Sequence, residues 1–118
     1  MAPDANTAIM PTDLLRPDLL RLNASPAGKE EAIREAAQLL IAAGCIDPAY
    51  AASMLRREAV ANTFLGHGVA IPHGMVEDRG MVRRSGIAVL QVPGGIEWNP
   101  GQTAHLVVAI AASPCCAA

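Results

Sequence analysis

The run Gly86-Ile87-Ala88-Val89-Leu90-Gln91-Val92 carries one polar side chain, Gln91, and is followed at once by Pro93-Gly94-Gly95. A nearly unbroken apolar run of this length, punctuated by turn residues, reads as a strand covered on both faces. Ala104-His105-Leu106-Val107-Val108-Ala109-Ile110-Ala111-Ala112 reads the same way, and Val69-Ala70-Ile71 is a third, shorter strand. Strands of this kind need helices to cover them, so the chain is expected to be an α/β domain.

Upstream the period changes. Between Lys29 and Ala43, Ile33, Ala37, Leu40 and Ile41 recur at helical spacing, while Glu30, Glu31, Arg34, Glu35 and Gln38 fill the other face. Glu30 and Arg34 are oriented for an i, i+4 pair, and Gly44 supplies the stop. Asp47 before Pro48 is an N-cap with proline at the first helical position, predicting a second helix to about Glu58 with an apolar stripe of Ala51, Met54 and Leu55. At roughly 100° per residue, Arg57 lies about 60° from Met54 and Arg56 about 160°. Arg57 therefore borders the packed face and Arg56 points to water. Leu14, Leu15, Leu19, Leu20 and Leu22, broken by Pro17, suit an extended entry strand or turn. Residues 1–12 read as a disordered leader.

Composition narrows the function classes. The 118 residues suit one domain, and they are 52% hydrophobic but 3% aromatic, with alanine near a fifth of the chain. The core must be packed from Ala, Val, Ile and Leu. Nine basic and eleven acidic residues give a net charge of −2 with no basic block, which argues against nucleic acid as partner. No apolar run reaches the roughly 18 residues of a membrane span, and no secretory signal pattern opens the chain. Cys45, Cys115 and Cys116 form neither a disulfide framework nor a metal-ligand spacing. A cytoplasmic location is expected.

Among the three histidines, His67 sits in a flexible Gly66-His67-Gly68 loop and reads as an exposed polar residue, and His105 at the start of an apolar strand reads as a packed or rim histidine. His73 differs, because it closes a strand between Pro72 and Gly74. Proline fixes the backbone before the imidazole and glycine leaves room after it. One ring nitrogen can then bond the nearby backbone, fixing the tautomer, while the other stays available as a nucleophile. A turn histidine of purely structural role is the competing reading. Neither a G-x-S-x-G nor a P-loop motif is present.

The segments Met54-Leu55-Arg56-Arg57-Glu58, Gly66-His67-Gly68-Val69-Ala70-Ile71-Pro72-His73-Gly74 and Gly86 to Pro93 closely resemble the fructose/mannitol-type EIIA domain of the bacterial sugar phosphotransferase system. Trp98 and Thr103 to Ala112 extend the resemblance, which covers residues 13–112. The stretch from Gln91 to Asn99 resembles the fructose branch more than the nitrogen-regulatory one. The resemblance implies a mixed β-sheet flanked by helices and a phosphocarrier. His73 would accept a phosphoryl group from phospho-HPr, or an HPr-like domain, and pass it to a fructose- or mannitol-specific EIIB domain. Arg57 would approach the phosphohistidine, and Gly66, Gly68, Pro72 and Gly74 would form the supporting loop. The resemblance implies no cofactor and no metal.

In the family the chain continues past the last strand to a second active-site histidine and further helices. Residues 113–118, Ser113-Pro114-Cys115-Cys116-Ala117-Ala118, carry no such histidine, and the matching position is about Ala117. The domain is thus expected to be incomplete at its carboxyl end. Two other readings follow: a regulatory EIIA-like module acting through protein contacts, and a truncated, non-functional remnant.

Overall fold

The computed structural model describes residues 16–113, so the leader expected over residues 1–12 and most of the tail lie outside the described residues. A 3-10 turn, Pro17–Leu19, leads into a two-residue strand β1, Leu20–Arg21, as the proline-broken leucine run suggested. Helix α1 spans Lys29–Ala42 and buries Ala32, Ile33, Ala36, Ala37 and Leu40. Gly44, at φ 78°, reverses the chain, with its N–H on the Ile41 carbonyl and that of Cys45 on the Leu40 carbonyl. Glu30 and Arg34 form no ion pair; both are solvated, where such a pair gains little.

Helix α2 spans Tyr50–Val60 and begins later than the Asp47-Pro48 pattern predicts. Asp47 still organises the start: its Oδ1 accepts the Ala49 N–H at 3.1 Å and its carbonyl accepts that of Tyr50 at 2.8 Å. Those bonds close a turn over Pro48 and Ala49 before regular helix begins. Two short strands follow, β2 Phe64–Gly66 and β3 Val69–Ala70, and then a 3-10 helix, Val76–Met81. The hairpin of β4, Gly86–Asn99, and β5, Gln102–Ala111, dominates the sheet.

The sheet order is β1-β4-β5-β3-β2. β1 runs parallel to β4 and β3 parallel to β5, while β4/β5 and β2/β3 are antiparallel, giving the expected mixed sheet. β4 extends past Pro93 because the register slips between Gln91 and Ile96, a bulge that absorbs Pro93-Gly94-Gly95. Gly95 is at φ 78°, and a Cβ there would meet Thr103 Cγ2 at 2.5 Å.

α1 packs on β4 and β5 and against α2. Its buried residues share one core with Ala88, Leu90, Val107, Ala109 and Ala111, all buried on the same sheet face. The alternate residues Ile87, Val89, Val108 and Ile110 are only half-buried, and Leu106 is 38% exposed. This corrects the expectation that both faces of these strands are covered. Among the described residues the helices lie on one face, so burial alternates with the pleat. The core also recruits the two large polar aromatics, Tyr50 and Trp98, at 4% and 2% exposure, beyond the aliphatic set that composition suggested.

Candidate functional site

β3 and β5 position His73. Their parallel register pairs Val69 with Leu106 and Ala70 with Val107, and it resumes at a bridge between His73 and Ile110. Pro72 is buried and its carbonyl accepts the Ile110 N–H at 3.0 Å. Having no N–H of its own, proline breaks the ladder here without leaving a buried donor unpaired.

His73 Nδ1 lies 2.9 Å from the Ile71 carbonyl oxygen. A carbonyl only accepts, so in the neutral ring Nδ1 carries the proton and Nε2 keeps its lone pair. This is the tautomer-fixing geometry that the Pro-His-Gly pattern anticipated. Around the ring lies a hollow of about 190 Å³, lined by Tyr50, Met75, Val76, Arg79, Ile110 and Ala112.

Helix α2 holds the far side of the loop through three side chains spaced three residues apart. The Tyr50 hydroxyl accepts the Gly74 N–H at 3.0 Å, Ser53 Oγ accepts that of Met75 at 2.8 Å, and Arg56 Nη2 donates to Asp78 Oδ2 at 2.6 Å. Spacing of i, i+3 and i+6 places all three along one flank of the helix. Tyr50 also explains Gly74, because a Cβ there would stand 2.4 Å from its Cζ. Burial pushes the Tyr50 phenol up, although the Gly74 bond opposes it. Bonds from Ser53 and from Arg56 hold the Asp78 carboxyl below its usual range. Tyr50 and Ser53 escaped the sequence reading. The available signal was two polar residues beside Met54 on the packed face.

Arg57 lies half-buried at the border of that face, as its helical angle predicted, with Nη1 donating to the Ala61 carbonyl at 2.7 Å. No hydrogen bond or ion pair joins it to His73 among the described residues. Arg56 is exposed, as its helical angle predicted, and from the surface it pairs with Asp78. Next to Arg57, Glu58 is buried and anchors the turn after α2. It accepts from Thr63 Oγ1 at 2.6 Å, Thr63 N at 3.0 Å, Trp98 Nε1 at 2.9 Å and Lys29 Nζ at 3.3 Å. Burial alone would raise its pKa, but the Thr63 and Trp98 bonds and the Lys29 charge outweigh that and hold it below the ordinary value.

Pro72 and Gly74 flank His73, but Gly66 and Gly68 do not reach it. With φ of 108° and 79°, they bracket His67, at 54°, in the β2–β3 turn, where the left-handed backbone favours glycine. From Gly68 to His73 the chain runs alongside β5, roughly 16 Å at the usual rise of a strand. The Gly68 carbonyl accepts the His105 and Leu106 N–H groups, so this turn serves the sheet. His105 is structural too, with Nδ1 3.2 Å from the Val92 carbonyl across the bulge. No group of three His, Cys, Asp or Glu suited to a metal occurs among the described residues, and no helix of them is long and apolar enough to cross a membrane.

Residues 13–115 match the family described as the phosphoenolpyruvate-dependent sugar phosphotransferase system, EIIA 2. The chain belongs to this family. A multiphosphoryl transfer protein of Xanthomonas campestris is 69% identical to this EIIA chain over 96 residues, 81% of the chain and 12% of the relative. The mannitol-specific phosphotransferase enzyme IIA component of Bacillus subtilis is 41% identical over 98 residues, 83% of the chain and 68% of that protein. The crystal structure of IIA mannitol from Escherichia coli superposes with a TM-score of 0.78 at 38% identity, covering 81% of this chain and 70% of that one. A complex of IIA mannitol with phosphorylated IIB mannitol from the same organism gives 0.81 at 36%, covering 85% and 72%. The EIIA chain thus spans 12% of the length of the multiphosphoryl transfer proteins from Xanthomonas campestris and Rhodobacter capsulatus.

Proposed function

We propose that this EIIA domain is a phosphocarrier in which His73 Nε2 is the phosphoryl acceptor. The observation that carries the reading is the 2.9 Å contact between Nδ1 and the Ile71 carbonyl, which leaves the lone pair on Nε2. Nε2 attacks the phosphorus of a phosphorylated donor, phospho-HPr or an HPr-like domain. The N–P bond forms as the bond to the donor breaks, and the Nδ1 proton stays in its bond to Ile71. That carbonyl stabilises the positive charge the ring gains. The return step is the same displacement in reverse, onto an EIIB domain.

Membership of the family supports the reaction, and the solved complex of a related IIA with phosphorylated IIB supports the acceptor. The relatives reported above that name a sugar name mannitol, and the fructose expectation finds no support in them. Mannitol is therefore the proposed sugar of the partner permease. Arg57 belongs to this reading as a cation near the phosphoryl group. Its contact with Ala61 uses one of the five N–H donors of its guanidinium.

The test is incubation of the intact chain with the general phosphotransferase proteins and labelled phosphoenolpyruvate. Acid-labile, base-stable label that disappears in His73→Gln is expected. Absence of label in the unsubstituted chain overturns the proposal.

A further inference from the structure

Arg79 lines the hollow around His73. Most other arginines of the described residues are committed elsewhere. Arg56 and Arg83 are paired with Asp78 and Asp47, Arg21 with Glu35 and Arg16 with Asp18, while Arg57 and Arg84 donate to the Ala61 and Ala43 carbonyls. Arg34, which has no such bond, lies on the solvated face of α1. Arg79 makes no side-chain hydrogen bond or ion pair among the described residues, and of the neighbouring acids Asp78 is held by Arg56 and Ser53. Its guanidinium is thus uncommitted among the described residues, beside His73, whose Nδ1 is held by the Ile71 carbonyl.

The 3-10 helix that carries it, Val76–Met81, is pinned to α2 through Ser53–Met75 and Arg56–Asp78. The backbone under Arg79 is therefore held in fixed relation to His73, while the side chain is exposed and can turn toward a group arriving on Nε2. A phosphoryl group in flight carries negative charge on three oxygens, and a planar guanidinium can take two of them at once.

We propose that Arg79 binds the phosphoryl oxygens at His73, as a catalytic cation additional to Arg57. The inference rests on the reading of His73 as phosphoryl acceptor. It supplies a positive charge within the hollow itself, where Arg57 is not among the lining residues.

The test uses a small donor, so that protein docking plays no part. Phosphoramidate is incubated with the intact chain, and phosphohistidine is followed by phosphorus NMR. Nε2 forms the new bond to phosphorus, the phosphoramidate P–N bond breaks, and ammonia leaves with the electron pair. Arg79→Gln is expected to slow labelling of His73 on the order of tenfold or more, as for loss of one charge-stabilising donor at an exposed site. Arg79→Lys should fall between, because it keeps the charge and loses the fork. Arg34→Gln should match the unsubstituted chain, and all variants should share one urea midpoint. A rate for Arg79→Gln within twofold of the unsubstituted chain overturns the inference while leaving the phosphocarrier reading intact. Failure of His73 to take label in the unsubstituted chain overturns both.

Discussion

Gly74→Ala tests how the loop is held. The added Cβ would lie 2.4 Å from Tyr50 Cζ, 2.5 Å from Cε1 and 2.7 Å from the hydroxyl oxygen. Comfortable contact between carbons needs about 3.5 Å, so ring and loop must part by about 1 Å. Tyr50 is buried from solvent, and any retreat of its ring into the hollow around His73 pulls its hydroxyl from the Gly74 N–H. Overpacking of this kind costs about 1–3 kcal/mol, and stretching the 3.0 Å bond from Gly74 to the Tyr50 hydroxyl adds about 1 kcal/mol. Together they give about 2–4 kcal/mol, and each kcal/mol corresponds to about 4–8 °C in melting temperature for a domain of this size. The assay is urea unfolding followed by the fluorescence of Trp98, the chain's single tryptophan. Tyr50→Ala removes the ring, so Gly74→Ala should cost much less in that background than in the native one. If Gly74→Ala changes stability by under 0.5 kcal/mol, or costs as much without the ring as with it, the steric argument is wrong.

Glu58 makes stability sensitive to acid: its folded pKa lies below that of an ordinary glutamate, so its contribution is complete above the ordinary value and is lost as pH falls through the folded one. Acid titration followed by Trp98 fluorescence should show that loss, and Glu58→Gln should flatten it and cost about 1–3 kcal/mol at pH 7 by weakening the bonds from Thr63 and Trp98 and removing the charge that faces Lys29. Ser53→Ala, which strips the Met75 N–H of its acceptor, should cost about 1–2 kcal/mol in urea unfolding and speed amide exchange at Met75 and Asp78.

What the sequence disclosed followed from how local each interaction is. The 3-4 spacing over Ile33, Ala37, Leu40 and Ile41 and the stop at Gly44 place α1 to within one residue of its observed end. Phe64–Gly66 shows no strand signal in the sequence, because three residues are too few to display a period. In sequence β4 reads as ending at Val92, since proline and two glycines look like a terminus, whereas the strand bulges through them. At the site, His73 and its tautomer were legible because Ile71, Pro72 and Gly74 adjoin it in the chain. Tyr50 and Ser53 bond residues 24 and 22 positions away, and no local pattern encodes such a pairing. Gly66 and Gly68 share one motif with His73 in the sequence, but an extended strand carries its two ends apart.

The alanine seam between α1 and the sheet bears on the thermodynamics of the fold. Ala32, Ala36 and Ala37 against Ala88, Ala109 and Ala111 bury little area each, yet alanine forfeits no side-chain rotamer freedom when it is buried. A leucine at the same place would gain more from leaving water and lose about 0.5–1 kcal/mol of that to ordering. The alanine positions of the seam have no rotamers to exchange between alternative packings, which leaves that choice to Ile33, Leu40, Leu90 and Val107. Ala109 and Ala111 of that seam flank Ile110, the residue bridged to His73, so the strand that seats the histidine is backed by side chains with no rotamer entropy to lose.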